Sequence, residues 1–192
     1  MALELRSRAS LSFFWSAMAI TCSVLVAVAQ RESFTATASL QTAAGTKVTS
    51  PVSITIDSFA TTSEREALLA AIKSGGTAAA REWLARRPGA GTLQVGARQS
   101  AIKYAYKTPV GSGSLITIGT AEPLYLVGAG IPGATKAKGF DLTLLLVQMP
   151  ATGPGTGELS PAAKLRVDER GAIVTEDFNA AEMVRLTDVV RK

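Results

Sequence analysis

Histidine is absent from all 192 residues, and cysteine occurs once, at position 22. The first absence removes Ser-His-Asp and Cys-His catalysis, zinc held by the usual His/Cys sets, and haem held by an axial histidine. The second removes any disulfide within one chain. A pH response near neutrality would need a strongly shifted carboxylate or amine, because no imidazole is available. Aromatic residues make up only 6% of the chain. The basic residues are scattered, with Arg81, Arg86 and Arg87 the tightest group. Nucleic-acid binding needs a basic stripe interleaved with stacking aromatics, so nucleic acid is not an expected partner. No acidic D-x-D-x-D loop is present to hold calcium. No cofactor or metal is expected.

What the chain does have begins at its N-terminus. Arg6 and Arg8 precede an uncharged apolar run over 9–29, which ends in Ala27, Val28 and Ala29 before the polar Gln30, Arg31 and Glu32. A basic start, an apolar middle and a small-x-small end describe a secretory signal. The expected organisation is a signal peptide over 1–29 and a single β-rich globular domain over 30–192. The expected location is periplasmic or extracellular. The alternative is a retained anchor, since 21 apolar residues as a helix reach roughly 31 Å. Membrane contact is expected through residues 9–29 alone, and only if they are kept. The 163 residues after position 29 carry 18 basic and 14 acidic side chains, a mixed-charge surface on a domain of ordinary size.

Hydropathy of period 2 recurs along this part. It predicts strands at 34–40, 52–57, 101–107 and 164–168, and short runs bounded by turn residues predict further strands at 92–95, 115–120, 124–127, 141–149 (the most apolar), 172–175 and 183–189. In 101–107 the alternation puts Ile102, Tyr104 and Tyr106 on one face and Lys103 and Lys107 on the other. Residues 61–73 switch to the helical period. Ser63 and Glu66 there fit a capping box, and Leu68, Leu69 and Ile72 form a stripe. Gly75 and Gly76 stop that helix, and a second runs over 77–87 with Trp83 and Leu84 as its large apolar residues. The stretches 128–139 and 153–157 read as mobile surface loops. The fold class is therefore α+β. It is mostly antiparallel β (a curled sheet, barrel or sandwich), with one helical pair after the first hairpin.

Three motifs suggest chemistry and lack its setting. Gly128, Gly130 and Gly133 match G-x-G-x-x-G, but no amphipathic helix follows to meet a pyrophosphate. Ser100 and Lys103 match S-x-x-K, which works on a helix, whereas the surrounding alternation says strand. Asp168-Glu169 and Glu176-Asp177 could supply a carboxylate pair for hydrolysis of a carbohydrate or envelope polymer. Asp168 and Gly171 also have the composition of a hairpin turn. Tyr104 and Tyr106 could line an apolar cavity in a small barrel, with Trp83 beside them. They could equally be core residues, with Trp83 anchoring the helix on the sheet.

The chain resembles a family of small exported bacterial proteins of unknown function. The likeness rests on residues 34–38 (FTATA), 64–77 (EREALLAAIKSGGT), 159–164 (LSPAAK), 167–171 and 184–188. It implies export and a single domain, and it assigns no activity, cofactor or site residue. The expected function is an exported non-enzymatic binding or interaction module, with the carboxylate hydrolase as the alternative. If 1–29 is a signal, protein recovered from the native envelope begins at Gln30 on N-terminal sequencing. Recovery of Met1 would make residues 9–29 an anchor.

Overall fold

The computed structural model describes residues 31–41, 47–124, 139–175 and 184–192. The chain elements in order are β1 (Glu32–Gln41), β2 (Lys47–Ile56), α1 (Thr62–Ala85), β3 (Gly91–Val95), β4 (Arg98–Val110) and β5 (Gly113–Thr120). They continue with β6 (Leu142–Met149), β7 (Gly155–Ala163), β8 (Leu165–Val167), β9 (Ile173–Thr175) and β10 (Val184–Arg191). Eight of the strands form a closed antiparallel barrel in the order β1-β10-β7-β6-β5-β4-β3-β2, while β8 and β9 make a separate two-stranded sheet. Each barrel strand is hydrogen-bonded to its neighbour in the chain, apart from the step over β8 and β9. The barrel is an up-and-down meander whose last strand returns to its first.

The interior follows from alternation. Phe34, Ala36, Ala38 and Leu40 of β1 and Val52, Ile54 and Ile56 of β2 point inward and are buried. Ile118, Leu145, Leu159 and Val184 sit opposite one another across β5, β6, β7 and β10. All belong to one apolar cluster that fills the barrel. Ile54, Leu93, Ile102, Ile116, Leu145 and Leu159 are each 0% exposed. An eight-stranded barrel is just narrow enough for side chains to fill. The outward positions of β1 and β2 are Ser33, Thr35, Thr37, Ser39, Lys47, Thr49, Pro51, Ser53 and Thr55, all polar but the proline. This is the inverse of a membrane-spanning barrel, which is apolar outside and polar within. Among the described residues no helix is long and apolar enough to cross a membrane; residues 9–29 lie outside that set.

The expected helical pair is corrected to one helix. Gly75 and Gly76 leave helical geometry, Gly76 at φ +61° and ψ −148°, a region open essentially to glycine alone. The helix resumes at once with Thr77, so no connecting loop separates two elements. Thr77 is buried, and its hydroxyl accepts the Leu165 amide at 2.8 Å. This ties the break to β8. The capping box also lies two residues earlier than Ser63 and Glu66. Thr61 is the N-cap, accepting the Glu64 amide while Glu64 accepts the Thr61 amide at 2.7 Å.

Helix α1 lies on the outer wall of the barrel. Leu68, Ile72, Ala80 and Leu84 meet Tyr104, Leu142, Leu144, Ala163 and Leu165 in a second apolar cluster. Strand β7 begins inside the stretch 153–157, where the glycines predict a loop, and continues to Ala163. Glycine is needed there for close approach: a Cβ at Gly157 would stand 2.8 Å from the Leu146 carbonyl oxygen. The expected strand at 124–127 falls largely outside the described residues, as do the glycine run at 128–133 and Glu176-Asp177.

Leu68 is 2% exposed. Leu68→Ala is expected to cost about 2–5 kcal/mol, the transfer term plus a cavity. Thr61→Ala, which loses the cap alone, should cost about 1 kcal/mol. Urea melts of the two variants check the ratio; a neutral Leu68→Ala would remove α1 from the core.

Candidate functional site

Two places on the molecule gather side chains with chemistry. The first is beneath α1 and contains all three residues singled out from sequence. Trp83 meets Tyr104 edge to face at 6.3 Å, and Tyr104 stacks on Tyr106 at 6.4 Å with 14° between planes. Arg87 lies 4.6 Å over Trp83, and Arg65 lies 5.5 Å over Tyr106. These cations are committed elsewhere as well. Arg87 pairs with Glu64, and Arg65 donates to the Gly171 carbonyl at 2.8 Å. Burial pushes the Tyr104 phenol well above its ordinary value of 10.0. Trp83, Tyr104 and Tyr106 thus come together on the outside of the barrel wall, packed under the helix. Tyr104 is only 2% exposed.

The alternation expected for 101–107 breaks here. Ile102 pairs with Thr120, and Tyr104 pairs with Gly119, so β4 holds one extra residue at Lys103. Such a bulge reverses the faces beyond it. Ile102 and Ala105 join the interior cluster, and Tyr104 and Tyr106 turn outward. The amine of Lys103 donates to the Arg87 carbonyl at 3.0 Å, capping the end of α1 rather than activating Ser100.

The second place is the end of the barrel where β1 and β3 begin and β2, β4 and β10 finish. Beyond the β4 bulge, Lys107 shares the inward face with Ala105. A second bulge lies in β10: Leu186 pairs with Gly157 and Val189 with Gly155, three residues against two. Asp188 takes φ +53° there. Val189 is thereby kept inside, and Arg191 follows it on the same face. Glu32 is the matching inward residue of β1. Glu32 and Arg191 are the last inward positions of their strands and Lys107 is the last but one, before Pro109, and the three meet. Lys107 Nζ is 2.7 Å from Glu32 Oε1, and Arg191 is 3.2 Å from Glu32 Oε2. Glu32 is 9% exposed, against 34% and 51% for the side chains of its partners. Glu32 Oε2 is buried and accepts no hydrogen bond. Phe59 lies 5.7 Å from the Lys107 amine and Phe34 5.7 Å from the Arg191 guanidinium.

A cavity of about 680 Å³ opens beside this triad, lined by Lys107 and Arg191 together with Gly113, Met149, Pro150 and Val190, among others. The large apolar side chains left exposed among the described residues are Val110 and Val190, at 47% and 50%. Both stand at this end. Sequence reasoning passed over the triad, because strict alternation placed Lys107 outside. A signal was available in the conflict between Ile102 and Ala105, which both need burial at odd spacing.

Among the described residues, the Asp168 motif has a structural role. Asp168 Oδ1 accepts the Arg170 and Ala172 amides at 2.9 and 2.8 Å, which fixes the β8–β9 turn. Among the described residues no group of three or more acidic or cysteine side chains is placed to hold a metal ion. No family model, no curated protein and no solved structure matches this chain.

Hydrogen bonds from the Thr61 amide and from Arg87 hold the Glu64 carboxyl below its ordinary value of 4.5. A depressed carboxyl contributes stability that is present above 4.5 and lost as pH falls through the folded value. The stability difference between the native protein and Glu64→Gln should therefore shrink between pH 6 and pH 3. Urea midpoints at several pH values check this; a constant difference would remove the linkage.

Proposed function

We propose that this chain is an exported, non-enzymatic binding module that takes its ligand at the barrel mouth. The observation that carries the reading is the triad of Glu32, Lys107 and Arg191 beside an open cavity. Charged side chains on the inward face of a barrel are costly unless paired. Two separate bulges aim Lys107 and Arg191 there, and bulges that re-aim a side chain are frequent beside functional sites. The cavity of about 680 Å³ falls in the range of small-molecule sites, roughly 300–1,000 Å³. Since the barrel interior is filled, a ligand would rest on the mouth and not thread the barrel.

Export is supported by the tripartite pattern of residues 1–29 and by the resemblance to small exported bacterial proteins. The inverted polarity of the barrel suits a domain that works in water.

Amide NMR titration with a mixed set of small organic fragments tests the site. Shifts should gather at Gly113, Met149, Val190 and Arg191. Shifts confined to α1 or to the outer face of β1 and β2, or no shifts at all, would remove the mouth as the site.

A further inference from the structure

We infer that the mouth takes a small amphiphilic anion, its carboxylate or phosphate head held by Lys107 and Arg191. This deepens the binding-module reading and rests on it.

The charge count comes first. Glu32 accepts a hydrogen bond from Lys107 and forms an ion pair with Arg191, so the triad carries two positive charges against one negative charge. The residues that line the cavity include no acid. An ammonium offers three donors and a guanidinium five. Glu32 occupies the Lys107 amine at one oxygen and stands 3.2 Å from the Arg191 guanidinium at the other. Further donors of both groups are left for the cavity that both line. Because both cations reach the two oxygens of one carboxylate, they lie close enough together to share a second anion. Glu32 thus acts as a positioning residue: it is buried on the inner side of the pair and presents both cations outward.

The apolar part of the ligand follows from the other walls. Met149 and Pro150 stand beside the cations, and exposed Val190 continues the surface to the rim. A polar anion alone would leave these walls wet, and a neutral apolar molecule would leave the excess positive charge unmatched. A ligand with a charged head and a short apolar body satisfies both. A long chain is excluded by the filled interior.

The test uses the purified chain with octanoate, octyl phosphate and 1-octanol, followed by calorimetry and amide NMR. Octanoate or octyl phosphate, or both, should bind at least about tenfold more tightly than octanol, as expected for a charge-assisted contact. A preference between the two identifies the headgroup and supports the proposal either way. Arg191→Gln should weaken the anions about tenfold and leave octanol unchanged. Because Lys107→Gln alone would strand Glu32, the Glu32→Gln/Lys107→Gln double variant, checked for folding by thermal melt, provides the second arm. It should also lose anion preference. Equal binding of octanol and octanoate at the mouth, insensitive to either variant, would overturn the anion while leaving the mouth as a site. Absence of shifts at the mouth with all three probes would overturn the binding reading itself.

Discussion

Everything in this molecule depends on β1 being paired on both sides. Its ten residues run in unbroken register with β2 and meet β10 on the other edge. That second pairing turns a meandering sheet into a closed ring with no free edge. Closure defines an inside, and only then does period-2 alternation have a consequence. Phe34, Ala36, Ala38 and Leu40 then all face the interior and are buried there. A chain with a single cysteine has no intrachain disulfide to secure such a ring. Its stability must come from ladder hydrogen bonds and from the apolar interior that closure creates.

Closure also makes the bulges matter. In an open sheet, one extra residue in a strand would alter a twist. In a closed barrel whose inside is apolar, it exchanges what is buried for what is exposed along the rest of the strand. The extra residue at Lys103 sends Tyr104 and Tyr106 out, where α1 covers them, and Lys107 in. The extra residue near Asp188 does the same for Arg191. These inward charges are tolerable because they lie near the mouth, where Lys107 and Arg191 keep part of their side chains in solvent, and because they share Glu32. Removing Glu32 would leave two cations facing each other, and removing Lys107 would take away the hydrogen bond that the buried carboxylate accepts. Glu32 and Lys107 are therefore coupled and must be changed together, whereas Arg191 can be changed while Glu32 keeps its hydrogen bond.

Much of the fold was legible. The alternation at 34–40 and 52–57 reports burial directly, since each of these strands has one face in the interior, and the apolar run at 141–149 reports a strand covered on both faces, by the interior cluster and by the cluster under α1. The helical stripe of Leu68, Leu69 and Ile72 was equally plain, because its period differs from that of its surroundings. What escaped has physical causes. Strand β7 contains Gly155, Gly157 and Pro161, residues that usually punctuate strands. The two glycines are present because the neighbouring strand approaches too closely for a Cβ, which no local pattern reveals. The helical pair was inferred from Gly75 and Gly76, which do break the helix but do not end it. Whether a glycine pair ends a helix depends on what receives the next turn. Here β8 receives it through Thr77.

The site was illegible for a deeper reason. Trp83, Tyr104 and Tyr106 drew notice because aromatic residues are scarce in this chain, and scarcity is a property of composition. The mouth residues are ordinary by composition: a lysine among alternating residues, an arginine near the end of the chain, a glutamate after an arginine. What makes them unusual is the face they occupy, and that is decided by two bulges distant from one another in sequence. The bulge at Lys103 serves both regions at once. It delivers two tyrosines to the helix and one cation to the mouth, so packing of α1 and placement of Lys107 are consequences of one backbone event. A strand without that extra residue could keep Ile102 inside only by burying Tyr104 and Tyr106 with it. The barrel would then lose the outer aromatic face that seats α1, and the mouth would lose half of its positive charge.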